Sequence, residues 1–238
     1  KAIVISNACI SRTLALVYAN RLLSVGKYKD VVIVGCDIAT QFIVSGFNCL
    51  KATDNKPCKP FYIDRKGLNL GEGAATVILS SQSQEKNEIK IVGGSSYNDA
   101  NHISGPSRTG EGLYLSIKET LEMANVNNID LINAHGTGTL FNDEMESIAF
   151  SRCMDENIPV CGLKGYFGHT LGASGIIETV ICKLSLQHNM LVKTLGYSQH
   201  GVSKPLNITQ ENINKQLNTC LKTSSGFGGT NASILLTK

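Results

Sequence analysis

Residues 162–175, GLKGYFGHTLGASG, place a lysine and a histidine five residues apart in a glycine-rich turn. The turn joins a short apolar strand, Pro159 to Cys161, to a helical run from about Ala173 to His188 with Ile177, Val180, Ile181 and Leu184 on one side. A chain that passes from strand to helix through so many glycines is built of β-α units, and the glycines allow a bulky ligand to approach the backbone. The same grammar recurs. Ala2 to Ile5 is β-rich, Ser6-Asn7-Ala8-Cys9 turns, and Leu14, Ala15, Tyr18, Leu22 and Val25 then recur at helical spacing. Gly26 stops that helix, and Val31 to Gly35 reads as a continuous apolar strand of the doubly buried, parallel-sheet kind. This makes a β-α-β unit with Cys9 at its turn.

Further along, Asn127 to Ala134 is a turn and strand that delivers His135 to the glycine and threonine turn GTGT, after which Asn142 or Asp143 caps a helix containing Met145, Ile148, Ala149 and Arg152. Residues 36–73 are loop-rich and lead into a strand from Thr76 to Leu79, and a polar segment over residues 81–88 reads as a linker. The strand Ile89 to Val92, a helix from about Gly110 to Ala124 and a pair of strands around GFGGTN complete a layered α/β fold. The chain thus divides into residues 1–80 and 89–238.

Composition excludes several function classes. Net charge is only +3, with no lysine or arginine run interleaved with aromatics, so nucleic acid is excluded as the main partner. No window reaches the roughly 18 apolar residues of a membrane span, and the first residues lack a signal-peptide pattern, so the cytoplasm is the expected location. The eight cysteines form no CxxC pair and several sit inside apolar runs, which reads as reduced, mostly buried thiols and no metal site. A chain that opens without methionine on an apolar run is expected to be a fragment or a processed form.

The residues that can carry chemistry are one thiol and two imidazoles, Cys9, His135 and His169, each at a strand-to-turn junction. Cys9 can attack a thioester and hold an acyl group while the imidazoles act on a second substrate, and the positive end of the following helix favours its thiolate. Either histidine alone would also suit a structural role. His102, His188 and His200 lack such settings and read as surface or loop residues. Lys164, between Leu163 and the glycine turn, is expected to be partly buried and to need an acidic partner, Glu178 or Glu146. GFGGTN lacks the lysine of a phosphate loop, and GTGTLF lacks the third glycine of a dinucleotide site.

Taken together and in this order, NAC at Cys9, HGTGT at His135, LKGYFGHTLGASG at Lys164 and His169, and GFGGTN at Phe227 resemble the β-ketoacyl synthase family of condensing enzymes, in the thiolase superfamily. The likeness runs over essentially residues 1–238, and KPFYIDRKGLNLGEG also resembles the family's Pro-Phe-Asp-x-x-Arg-x-Gly segment. It implies a thiolase-like, five-layered α-β-α-β-α fold whose first half, residues 1–80, is incomplete. It implies a homodimer or heterodimer that takes its substrates from the phosphopantetheine of acyl carrier protein, with no other cofactor. By the same resemblance Cys9 is the acyl-accepting nucleophile, and His135 and His169 bind the malonyl thioester and promote decarboxylation. Lys164, Glu178 and Glu146 support them, and Phe227 is an aromatic gate. The backbone N–H groups of Cys9 and Phe227 form an oxyanion hole, and Thr137, Thr139 and Gly228 bind substrate.

Three departures qualify the match. The portion that family members carry ahead of the cysteine is absent, so the isolated chain is expected to be weakly active or inactive. Ser225 and Ile10 stand where phenylalanine and a smaller residue are common, which leaves acyl length open. A thiolase would pair one histidine with a second cysteine, and Cys220 lacks a glycine setting. A non-catalytic chain-length factor would replace Cys9. Fatty acid, polyketide and polyene pathways all use such synthases.

Overall fold

The computed structural model describes residues 1–82 and 88–238. In chain order the elements are α1 (Ser11–Ser24), β1 (Asp30–Asp37), α2 (Gln41–Cys49), β2 (Gly73–Ser80), β3 (Lys90–Asn98), α3 (Glu111–Ala124), β4 (Leu131–Asn133), α4 (Leu140–Ser151) and β5 (Pro159–Cys161). Then follow α5 (Lys164–Phe167), α6 (Ser174–His188), β6 (Met190–Leu191), β7 (Asn207–Ile208), β8 (Ile213–Asn214), β9 (Thr219–Gly226) and β10 (Thr230–Thr237). The linker expected over 81–88 falls mainly outside the described residues.

The frame of the molecule is a mixed sheet in the order β3-β10-β9-β4-β5-β7, in which β4, β5, β7 and β9 run parallel and β10 is antiparallel to both its neighbours. Both faces are covered. Leu221 and Leu235 point into a core with Leu113, Ile117, Met145 and Phe150 of α3 and α4. Ile234 points the other way, into a core with Leu16 and Val17 of α1 and Ile176 of α6. Burial on both faces explains why β9 and β10 are buried at almost every position rather than at alternate ones. Beyond α1 and α6 lies a further two-stranded sheet, β1 with β2, whose Val31, Ile33, Ala75 and Val77 join the same core. The described layers are therefore α-β-α-β, four of the five expected of a thiolase-like fold.

The α1–α6 layer is thin because glycine makes it so. A Cβ on Gly175 would sit 2.4 Å from Thr13 Oγ1 and 2.6 Å from the Thr13 backbone nitrogen. Since the backbone cannot swing aside, Gly175→Ala must push the two helices apart. We expect it to cost about 1–3 kcal/mol, measured by denaturant unfolding.

Several expectations need correction. Ala2 to Ile5 is not a strand, and Val4 is 91% exposed; the local pairing is an isolated bridge between Asn7 and Cys9. Cys9 therefore sits before a helix but not at the end of a sheet strand. The Val31–Gly35 run does form a strand, but it is antiparallel to β2, with Asp30 opposite Ser80 and Asp37 opposite Gly73. Only one face is packed: Val32 and Val34 are 60% and 58% exposed. An unbroken apolar run cannot say which of its faces finds a partner. On α6 the expected stripe is rotated, because Leu184 is exposed while Ile176, Thr179, Cys182 and Leu186 are buried together with Glu178. Helix α2 lies in the stretch read as loop; its start is marked by Thr40, whose hydroxyl accepts from Ile43 N at 3.4 Å.

Candidate active site

Cys9 is delivered by a tight turn. Ala8 is held at φ +43°, and Ser11 Oγ donates to Ala8 O at 2.6 Å while accepting from Asn7 N at 2.8 Å. A left-handed alanine is unfavourable by about 1–2 kcal/mol, and the Ser11 clamp offsets it. His135 leaves the end of β4 and His169 follows α5, on neighbouring parallel units of the main sheet. Their rings meet edge to face, with centroids 5.0 Å apart and an interplanar angle of 82°. The sulfur of Cys9 and one ring nitrogen of each histidine all lie within 4.8 Å of one another. Such a trio has donor atoms that could also hold a metal ion, but Lys164 places a buried ammonium beside one of the rings.

Lys164 is completely buried, more so than expected, and its partner is Glu178 rather than Glu146. Its Nζ donates to Glu178 Oε1 at 2.7 Å and to His135 O, and lies 3.2 Å from His135 Nδ1. An ammonium has donors only, so His135 Nδ1 accepts and its proton sits on Nε2, the atom left to face a ligand. His169 pairs its Nδ1 with Ser174 Oγ at 2.8 Å, and its buried Nε2 has no partner among the described residues. Burial first, then the Lys164 charge, drive both imidazoles well below their ordinary range, so they are neutral at neutral pH.

Glu146 acts on the backbone. Its two oxygens accept from His135 N and Gly136 N, each at 2.7 Å, and Asn142 Nδ2 adds a third bond at 2.9 Å. Burial and the neighbouring Asp143 nevertheless push its pKa up to about 7. A raised acid is most stabilising when protonated. Its contribution is complete below about pH 4.5 and is lost as pH rises through about 7. We expect roughly 3 kcal/mol of pH-dependent stability from this group, and Glu146→Gln should flatten that part of the curve when unfolding is followed at a series of pH values.

Asp143, expected as a helix cap, instead lies inside the first turn of α4 and reaches back to the amides of Thr137 and Gly138 at 3.1 and 3.2 Å. That turn also needs glycine. Gly138 sits at φ +69°, and a Cβ there would meet Cys58 Sγ at 2.9 Å.

The thiol itself departs from expectation. Burial pushes the Cys9 thiol up to about 11. Lys164 and the backbone N–H groups of Phe227 and Cys9, which point at the sulfur, pull it down without prevailing. The helix-end argument for a resting thiolate therefore fails, because desolvation outweighs it.

A cavity of about 530 Å³ opens over these groups, with Cys9, His135, His169, Thr137, Thr139 and Phe227 in its wall. The Thr137 and Thr139 hydroxyls are 2.9 Å apart. Phe227 stacks on Phe47, centroids 5.3 Å apart, which gives the cavity an apolar side. Gly228 lies just outside the wall, its amide bonded to Ile103 O. His102 is not merely a surface residue: it lines the mouth, accepting from Ser104 N and Gly105 N. His188 is exposed, and His200 lies away from the cavity. Cys220 is buried in the sheet core beside Cys182 and does not join the site.

Residues 89–198 match the β-ketoacyl synthase C-terminal domain. Over nearly its whole length the chain is similar to β-ketoacyl synthases. It is 33% identical to 3-oxoacyl-acyl-carrier-protein synthase 2 of Rhizobium meliloti, over 96% of this chain and 59% of that protein. It is 31% identical to the tetracenomycin polyketide synthase ketoacyl synthase alpha subunit of Streptomyces glaucescens, over 99% of this chain and 59% of that one. Among solved structures, a ketosynthase from Xenorhabdus doucetiae in complex with its chain length factor superposes with a TM-score of 0.92 at 32% identity, covering 99% of this chain and 60% of that one. The chain thus spans about three-fifths of the length of these relatives. In this family setting, sequence reasoning missed three residues that shape the site. They are Ser174 behind His169, Arg65 behind Asp143, and Lys222, a fully buried lysine 2.7 Å from Glu178. The signal for Lys222 was a charged residue in an otherwise apolar or small strand, TCLKTSSG.

Proposed function

We propose that this site performs a decarboxylative Claisen condensation, joining a malonyl thioester to an acyl group held on Cys9, both brought by acyl carrier protein. The convergence of the Cys9 sulfur and two neutral imidazoles within 4.8 Å, under a cavity, carries the reading. In the first half-reaction Cys9 loses its proton as its sulfur attacks the acyl thioester carbonyl; the carrier's C–S bond breaks and the carrier thiol leaves with a proton. The tetrahedral oxyanion falls to the backbone N–H groups of Cys9 and Phe227, donors of a kind worth about 3 kcal/mol each. In the second, the malonyl C–C bond to the carboxylate breaks and carbon dioxide departs. The electron pair left as an enolate is stabilised by Nε2–H of His135 and by His169. It then attacks the acyl carbonyl carbon: the new C–C bond forms, the acyl C–S bond to Cys9 breaks, and the freed Cys9 sulfur takes up a proton.

Neutral imidazoles suit this task, because they donate hydrogen bonds without protonating the enolate outright. Thr137 and Thr139 offer hydroxyls to a phosphopantetheine arm in the cavity, and Lys51 and Lys66 at its mouth suit an acidic carrier protein. A cytoplasmic location and a dimer, including a heterodimer of the kind seen in the Xenorhabdus complex, belong to the same proposal. The test is incubation of the purified protein with acyl and malonyl carrier proteins. Mass spectrometry should show an acyl adduct on Cys9, with a product two carbons longer, and one carbon dioxide per product, formed only slowly by a chain that spans about three-fifths of its relatives. No adduct on Cys9 under any acyl donor would sink the proposal.

A further inference from the structure

Lys164 has a lysine counterpart on the far side of the same carboxylate. Lys222 is fully buried in β9, a strand paired on both sides, by β10 and by β4. Its Nζ lies 2.7 Å from Glu178 Oε2, donates to Thr223 O, and donates to Ser224 Oγ at 3.4 Å. Lys164 Nζ serves His135 O, His135 Nδ1 and Glu178 Oε1. Lys222 thus meets Glu178 as a close ion pair and spends its hydrogen bonds on Thr223 and Ser224, whereas all three acceptors of Lys164 lie on His135 and Glu178. Burial works against the Glu178 charge, but the two lysines together hold its carboxyl below the usual range.

The two lysines differ in what anchors them. Lys164 belongs to α5, a single turn, whereas Lys222 is fixed by a strand in the middle of the main sheet. Glu178 hangs between them from α6. With Lys222 absent, Glu178 Oε2 would be a buried charged oxygen with no cation, and the carboxylate would be free to turn both oxygens toward Lys164, drawing that ammonium from His135 Nδ1.

We propose that Lys222 is a positioning residue of the condensing site: it commits one oxygen of Glu178, so that the other holds Lys164 and Lys164 in turn fixes His135 with its proton on Nε2. The catalytic consequence rests on the condensation reading above; the arrangement of His135 does not. The trio also carries one net positive charge that a lone Lys164–Glu178 pair would lack, in the place where the reaction makes anions.

The experiment is nitrogen-15 NMR of histidine-labelled protein, which reads the tautomer of His135 directly, with the resonance assigned by His135→Gln. Two variants are compared, Lys222→Met, which keeps the volume and removes the charge, and Lys222→Ala, which leaves a space edged by Glu178 Oε2, Thr223 O and Ser224 Oγ. The unaltered protein is expected to show one tautomer, protonated at Nε2. Both variants are expected to lose it for a mixture. Ammonium chloride should restore the single form in Lys222→Ala only, and tetramethylammonium chloride, too large for the space, should not. A His135 tautomer unchanged in Lys222→Met overturns the proposal. So does a folded Lys222→Ala protein whose mixture ammonium leaves untouched, since that is the mark of a purely structural lysine. Failure of the unaltered protein to acylate Cys9 would sink the condensation reading and leave these spectra as predicted.

Discussion

Cys9→Ala is expected to reduce the proposed condensation by about 10³-fold or more, because both of its half-reactions pass through the sulfur. The fold should survive. Cys9 is 7% exposed and its thiol behaves as a small apolar group, so the exchange should change stability by no more than about 1 kcal/mol. The paired measurement is product formation by mass spectrometry beside denaturant unfolding; an active Cys9→Ala protein would remove Cys9 from the mechanism. The same residue makes a pH prediction. With its thiol pushed up to about 11 by burial, the log of its alkylation rate by iodoacetamide should climb by about one per pH unit through pH 10. A plateau near pH 8 would mean that Lys164 and the backbone amides outweigh desolvation.

Asp143→Ala is expected to be the most destabilising single change around the cavity, at about 3–5 kcal/mol, or roughly 10 °C in Tm. The carboxylate is fully buried and accepts from Phe61 N at 2.7 Å, from Thr137 N and Gly138 N at 3.1 and 3.2 Å, and from Asn142 Nδ2 at 3.2 Å. It also faces the buried Arg65 guanidinium, 3.6 Å from Nε. Removing it orphans three backbone donors and leaves a buried cation without its counter-ion. Asp143→Asn keeps the volume and one acceptor oxygen and should lose less. Thermal unfolding of the two variants side by side checks this; equal, small losses would show that Arg65 is carried by the carbonyls of Tyr62, Thr139, Leu140 and Gly201 alone. Because the Thr137–Thr139 turn hangs on Asp143, substrate binding should weaken with stability.

How far the molecule could be read from its residues depended on the range of the interaction. The turns at His135 and His169 were legible, since glycines and small residues between strand and helix are a local necessity; at Cys9 the turn and the helix were legible, but the strand read ahead of it is not there. So was the demand that a buried Lys164 find a carboxylate, although Glu146 and Glu178 looked equally fit. Only α6, packed across β9, decided for Glu178, and Glu146 was left to brace the His135 backbone. The apolar run Val31–Gly35 was correctly a strand, but its antiparallel partner β2 and the choice of packed face, made by α1 and α6, come from elsewhere in the chain.

By itself, then, the order of residues determined the alternating α/β architecture and named the thiol, the two rings and one lysine, because each is announced within a few positions by turn chemistry or periodicity. Tertiary structure alone decided that the resting thiol is protonated, that both rings are neutral, and that a second lysine from the main sheet shares Glu178. Those outcomes depend on burial and on charges meeting across layers, and water exclusion at a point in space has no signature at a point in the chain.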